Sequence, residues 1–329
     1  MTSSAGYRRG PHWVAIFAAV FTLPLLYVGG SVTTYRVGLA VPDWPTTFGE
    51  NPFLYDFWNA PFGVRIEHLH RLYGAAVGLA TIVLAGWLLA LERRRWLKDL
   101  GVLALVLVIV QGVLGGLRVT RVSTLLAAVH GSTGQAFFGL MVALAVWTGR
   151  DWDGAAKRFP DPAHLRRRSA VVLALVYVQI VLGSWLRHYG TQAALWSHAG
   201  FAAAVWVHAA FLVFRIERRR AETGPGLAGL VWPSRILGLT ATLQIALGLT
   251  ALVFVLPMDG TPRPVRSAQA VVRTAHQTNA GLLFAAAIVL SLRAYRHLAG
   301  PADVPGRQPV EESVVGRPEP AALDWEAVA

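Results

Sequence analysis

The stretch RIEHLHRLYG, residues 65–74, sets Glu67, His68, His70 and Arg71 at the start of a long apolar run. A neutral imidazole is a metal ligand, and a positioned carboxylate can take or give a proton. Glu67 and His70 are i and i+3 and so share one face of a helix. Three more histidines stand near the starts of later apolar runs: His130, His198 and His276. A lone histidine in such a run is often only a hydrogen-bonded polar group. Four at matching places suggest a ligand set. Two imidazoles on facing helices can clamp an iron porphyrin from both sides. The reading is two bis-histidine sites, His70 with His130 and His198 with His276. A zinc site of four histidines weighs less, because such sites are uncommon and no second acid lies near the later histidines.

The neighbouring residues suit a flat macrocycle. Gly74 and Gly78 follow His70, Gly134 and Phe138 follow His130, and Ala280 and Phe284 follow His276, each at i+4 and i+8. Small residues leave room and aromatics wall it, although close helix packing uses the same glycines. Arg36, Arg65, Arg71, Arg118, Arg121 and Arg187 fall near the same surface, where they can pair with propionates or anchor helices. Arg71 is the candidate propionate partner beside His70. His68 is read as interfacial, His208 as a packed polar residue, and His188 as an external contact for a propionate. His12, His164 and His297 fall on the cytoplasmic side.

The histidine pairs differ in one respect. Three residues before His70 stands Glu67, but three before His198 stands Leu195; Arg71 follows His70, but Ala199 follows His198. An acid at the mouth of a membrane helix is expensive and points to function. The competing structural role is a carboxylate complementing the helix dipole. A carboxylate beside one heme edge could accept a proton or stabilise developing charge. A site without one suits a resident heme that passes electrons.

The elements that must hold these residues are membrane spans. The 329-residue chain is 54% hydrophobic and 15% charged, with mean hydropathy +0.47. Eight apolar runs are long enough to cross a bilayer, at about 13–33, 68–91, 98–118, 122–148, 169–187, 193–215, 230–256 and 274–296. The first is longer than a signal-peptide core, and no small-residue cleavage site follows it, so it is expected to remain as a span. The chain has no cysteine, which excludes disulfides and thiolate metal sites. The net charge of +12 does not mark a nucleic-acid binder. Most lysines and arginines cluster in alternate loops, as in ERRRWLK (92–98) and RIERRR (215–220), which is the positive-inside pattern and places both termini in the cytoplasm.

A repeat runs through the spans. QGVLG (111–115), QIVLG (179–183) and QIALG (244–248) all fit Gln-x-x-Leu-Gly, and Gly115 precedes His130 by the same interval as Gly183 precedes His198. The expected fold is therefore all-α: a polytopic membrane protein of eight transmembrane helices, built as two parallel four-helix-bundle repeats about a pseudo-two-fold axis along the membrane normal. The expected organisation is an N-terminal half (1–150) with the substrate heme, a cytoplasmic linker (151–168), a C-terminal half (169–299) with a resident heme, and a disordered tail (300–329). The first external loop, about 34–66, is rich in proline, glycine and aromatics and reads as an ordered lid.

These motifs resemble the heme A synthases of aerobic bacteria and mitochondria. The resemblance runs through GGSVTTYRVGLAVPDWP (29–45), EHLHR (67–71), LLAAVH (125–130), LWSHAG (195–200) and RTAHQTNAG (273–281), and extends over about residues 13–297. It implies oxidation of the C8 methyl of heme O to a formyl group, by successive hydroxylation and loss of water, giving heme A for cytochrome c oxidase. It implies Glu67 as the catalytic acid residue, His70 and His130 as iron ligands of substrate heme O, and His198 and His276 as ligands of a resident heme b. The implied partners are heme O, heme O synthase, an electron donor and membrane lipid, in the cell inner (plasma) membrane; a homo-oligomer fits as well. Many bacterial members carry a cysteine pair in the first external loop. This chain has none, so a route through that pair is not open to it. The rival readings are a di-heme b-type electron carrier and a heme-handling chaperone or transporter without chemistry.

Overall fold

The computed structural model describes residues 8–299 apart from 155, 157, 162, 224–226 and 257–264. The tail from Gly300, expected to be disordered, lies outside the described residues. Eight helices follow in order: α1 (Arg9–Thr34), α2 (Phe62–Leu91), α3 (Arg95–Thr120), α4 (Thr124–Trp147), α5 (Leu165–Tyr189), α6 (Gln192–Thr223), α7 (Ala228–Val255) and α8 (Ser267–His297). All eight are long and apolar enough to span a bilayer. The described residues form two isolated β-bridges, Thr47 with Glu50 and Phe159 with Leu298, and no sheet. This is an all-α, multi-pass membrane protein. A backbone crossing hydrocarbon must satisfy its own polar groups, and helices do so.

Sequence features explain where the helices stop and start. The Glu92 carboxylate accepts from the amides of Arg93 and Arg94 as the chain leaves α2. The Ser123 hydroxyl accepts from the Leu126 amide and caps α4. The Asp161 carboxylate accepts from the amides of Leu165 and Arg166 at the start of α5. Gly190, at φ 61°, ends α5 in the left-handed region that glycine tolerates.

Three spans differ from expectation, α8 by beginning at Ser267 and not near 274. α2 begins at Phe62, not near 68, so Glu67 and His68 lie inside the helix, and its first turn carries no acid. α6 runs on to Thr223, past the expected end at 215, because Glu217 and Glu222 pair with Arg218, Arg219, Arg220 and Arg235 and let a charged helix continue.

α1 to α4 close into a ring, each touching the next and α4 touching α1; α5 to α8 do the same. The rings meet through α1–α8, α4–α5 and α4–α8, and exchanging one ring for the other leaves this adjacency unchanged. Each ring has an apolar core toward the end away from the histidines, one built on Ala18, Leu84, Leu88, Leu97 and Met141, the other on Val172, Ala209, Leu212, Leu237 and Leu290. At that far end His12 Nδ1 meets the Ala145 carbonyl, and Phe159 N–H donates to the His297 carbonyl. The histidine end is hollow.

Candidate functional site

A cavity of about 1650 Å³ occupies the histidine end of both rings, and His70, His130, His198 and His276 all line it. That exceeds the roughly 300–1,000 Å³ of a pocket for one small ligand. The histidines face each other in pairs. The ring centres of His70 and His130 are 6.3 Å apart with planes at 84°; those of His198 and His276 are 6.1 Å apart with planes at 80°. A transition metal sits about 2 Å from an imidazole nitrogen, so with half a ring added on each side a clamped ion holds the centres roughly 6 Å apart. Both pairs have that spacing. Among the described residues no three His, Cys, Asp or Glu side chains converge, so the four histidines do not form one zinc site.

Each histidine rests on a glycine of the preceding helix. A Cβ on Gly29 would come within 2.8 Å of the His70 ring; on Gly115, 3.4 Å from His130; on Gly183, 2.9 Å from His198; on Gly248, 3.1 Å from His276. The glycine of Gln-x-x-Leu-Gly is thus a seat for an imidazole. The glutamine holds the histidine helix: Gln179 Nε2 donates to the His198 carbonyl at 2.9 Å, and Gln244 Nε2 to the His276 carbonyl at 3.1 Å. Asn279 Nδ2 in turn donates to Gln244 Oε1. Gln111 Nε2 donates to Thr133 Oγ1, one turn beyond His130. The Nδ1 atoms of His70, His130 and His276 are buried and close no hydrogen bond within the protein. Buried unpaired Nδ1 atoms on three of the four seated rings suit a bound group that fixes the imidazoles. These residues fit two bis-imidazole hemes.

Above the first pair lies the loop after α1. Glu67 is 1% exposed. Its Oε2 accepts from the Val41 amide at 3.0 Å and its Oε1 from Arg71 Nη2 at 3.1 Å. Arg71 Nη1 also donates to the carbonyls of Asp43 and Thr46, and Nη2 to that of Val41. Both terminal nitrogens of Arg71 therefore hold the loop, although the side chain touches the cavity. The loop lays Trp44 over Gly116, where a Cβ would come within 2.5 Å of the indole, and brings Trp44, Pro45, Pro52 and Phe53 to the cavity wall. The helix-dipole role for Glu67 does not hold, since the dipole acts within the first turn and α2 starts at Phe62.

Other expectations are corrected. His68 is fully buried, not interfacial: its Nδ1 meets Thr47 Oγ1 at 3.2 Å, and its ring sits between Tyr55 and Phe57. His208 is exposed on the outer face of α6 and satisfies Nδ1 on the Ala204 carbonyl of its own helix. Phe138 and Phe284 are buried in helix packing and do not wall the cavity. Arg36, Arg71, Arg118, Arg187 and His188 line it, while Arg65 and Arg121 are exposed elsewhere. Arg273, three residues before His276, also lines it and was not among the arginines expected there. Its position matches that of Glu67 before His70, the signal that could have found it. Arg187 bridges the rings by donating to the Gly30 carbonyl and the Thr34 hydroxyl of α1.

Comparison with known proteins gives a family match over residues 12–201, to the COX15-CtaA model described as cytochrome oxidase assembly protein. The match is shorter than the span of the motifs, which continue to His276. Three similar curated proteins are each called heme A synthase. One from Shewanella oneidensis is 26% identical over 187 residues, 53% of this chain and 56% of its own. One from Rhodopseudomonas palustris is 28% identical over 209 residues, 52% and 55%. One from Methylobacterium radiotolerans is 27% identical over 230 residues, 55% and 58%. The chain thus aligns with about half the length of these relatives.

Proposed function

This chain belongs to the COX15-CtaA family of cytochrome oxidase assembly proteins, and on that premise we propose that it is a heme A synthase, a membrane oxidoreductase that converts the C8 methyl of heme O to a formyl group. The observation that carries the reading is the pair of imidazole clamps in one cavity, with a carboxylate beside only one of them. His198 and His276 hold a resident heme b, and His70 and His130 hold heme O. Heme b supplies a redox-active iron when bound. The protein's residues orient the two macrocycles, exclude water and manage protons.

Glu67 is the acid–base residue of the reaction. Arg71 neutralises its charge, and the Val41 amide fixes its direction. Such a carboxylate at the wall of the substrate site can take a proton from a reacting group or stabilise positive charge. Arg71 acts through Glu67 and the lid, and leaves the propionates to Arg36, Arg118, Arg187 and Arg273, which also line the cavity. The lid keeps water from the substrate half. Between α5 and α6 the C-terminal half has no such loop, since these helices are joined by Gly190 and Thr191 alone.

The same reading puts the protein in the cell inner membrane, with both termini cytoplasmic by the positive-inside pattern. Heme O synthase delivers the substrate, and a separate donor supplies electrons. The domain halves are 1–150 for heme O and 169–299 for heme b. A di-heme electron carrier would stack its hemes across the bilayer to move charge; both pairs here share one end.

Expression with and without a source of heme O, followed by pigment extraction, tests the proposal. Glu67→Ala should still bind heme yet make no heme A; normal conversion by that variant would remove Glu67 from the mechanism. Replacing His198 and His276 should abolish the low-spin bis-imidazole spectrum of the resident heme. A protein that stays colourless in heme-replete cells overturns the whole reading.

A further inference from the structure

The two histidine clamps open toward lipid differently. In the first ring, Gly74 and Gly78 of α2 and Gly112 of α3 line the cavity, and a Cβ on any of them would meet nothing within 4 Å. Beside them Ile82 and Ile109 line the same cavity yet are 55% and 57% exposed, so the space runs out between α2 and α3 onto the apolar outer surface. The second ring also reaches the outer surface, at Val207 and Leu249, 55% and 62% exposed, but has bulk where the first has glycine. Four and eight residues after His198 stand Ala202 and Trp206, and one after Gln244 stands Ile245. Trp206 Nε1 donates to Thr242 Oγ1 at 3.4 Å, tying α6 to α7. The first ring has no such tie available, because the corresponding residues are Gly78 and Ile109.

We propose that the α2–α3 cleft is a lateral, lipid-side opening for a porphyrin bearing a long hydrocarbon substituent, and that Trp206 closes the equivalent route between α6 and α7. The inference rests on the heme A synthase reading and says which feature sorts the two hemes. With its propionates at the arginines of the cavity and its ring between His70 and His130, a porphyrin would lay its tail in the glycine-edged cleft. There the tail stays in hydrocarbon, where its methylene groups are stable. With Trp206 and Ile245 in place of Gly78 and Gly112, a tail has no glycine-edged cleft to enter, so the second site keeps a heme without one.

The test uses the full-length chain purified from cells that make both heme b and heme O, with extracted porphyrins quantified per protein by chromatography. Gly78→Leu should lower bound heme O at least ten-fold and leave heme b at the wild-type level, which also reports an intact fold. Gly112→Leu, on the facing helix, repeats the test if Gly78→Leu loses heme b too. Trp206→Gly in a His70→Ala/His130→Ala background should bind heme O where that background alone binds none. Wild-type heme O content in the leucine variants, or continued exclusion of heme O by the Trp206→Gly chain, overturns the portal. If the His70→Ala/His130→Ala chain itself retains full heme O, the heme A synthase reading falls and the portal with it.

Discussion

Single residues here are set by partners far away in the chain. Glu67 stood out in the sequence as an acid at the edge of a span, and its pairing with Arg71 is an i, i+4 contact that spacing alone suggests. Its bond to the Val41 amide joins residues 26 apart through an irregular loop, and no periodicity encodes that. Asp43 holds the same loop. Partial burial works against its charge, but the Thr46 hydroxyl at 2.5 Å and the Gly49 and Phe48 amides at 2.9 and 2.8 Å outweigh it and bring its pKa from 3.8 down to about 2. A lowered carboxylate pKa stabilises the fold above the ordinary value and stops doing so as pH falls through the lowered one. The lid should therefore keep its order from neutral pH down to about 4 and loosen toward pH 2. Asp43→Asn has one acceptor oxygen where two are used, so its lid should be loose already at neutral pH. Trp44 fluorescence and the rate of proteolytic cutting within 43–59 report this; a variant indistinguishable from wild type at pH 7 would remove Asp43 as the clasp.

Helices were the most legible level of organisation. Eight apolar runs became eight helices because hydrocarbon leaves a crossing backbone few alternatives. Their ends were less legible, since Phe62 to Glu67 and Glu217 to Thr223 continue helices through residues that hydropathy assigns to water. The repeat Gln-x-x-Leu-Gly was visible three times, but its glycines read as helix-packing residues when each is a seat for an imidazole. The fourth seat, Gly29, was hidden because Leu25 stands where the other helices have glutamine. The seats differ in tightness, which gives a graded expectation. A methyl at Gly183 would sit 2.9 Å from the His198 ring and one at Gly115 3.4 Å from His130. Overpacking of this kind costs about 1–3 kcal/mol. Gly183→Ala should thus shift the His198–His276 heme spectrum and lower its retention, while Gly115→Ala should leave the His70–His130 site nearly unchanged. Equal effects at both sites would mean that ring displacement is not what the glycines control.

At the scale of the whole molecule, one of the three places where the two rings meet is the crossing of α4 and α8. Phe284 was read from sequence as a wall of the heme site because it lies two turns beyond His276. Its ring instead stacks on Tyr177 of α5, centres 5.5 Å apart, and packs over Gly139 of α4. The sequence carries the aromatic but not which side of α8 meets the other ring, and that depends on how the halves dock. Gly139 is the least forgiving point of this crossing: an added Cβ would lie 2.5 Å from Phe284 and 2.9 Å from Ile288, both nearly fully buried. Gly139→Ala therefore has to push α4 and α8 apart or force Phe284 off its rotamer, a destabilisation of about 1–3 kcal/mol. Because the cavity holding both histidine pairs is walled by helices of both rings, the halves cannot separate at this crossing and leave either site whole. Thermal unfolding of the purified Gly139→Ala chain should show a lower midpoint, with both hemes released in one transition. Two separated releases would show that each ring holds its heme alone, and an unchanged midpoint would mean that the α4–α8 contact does not bind the halves together.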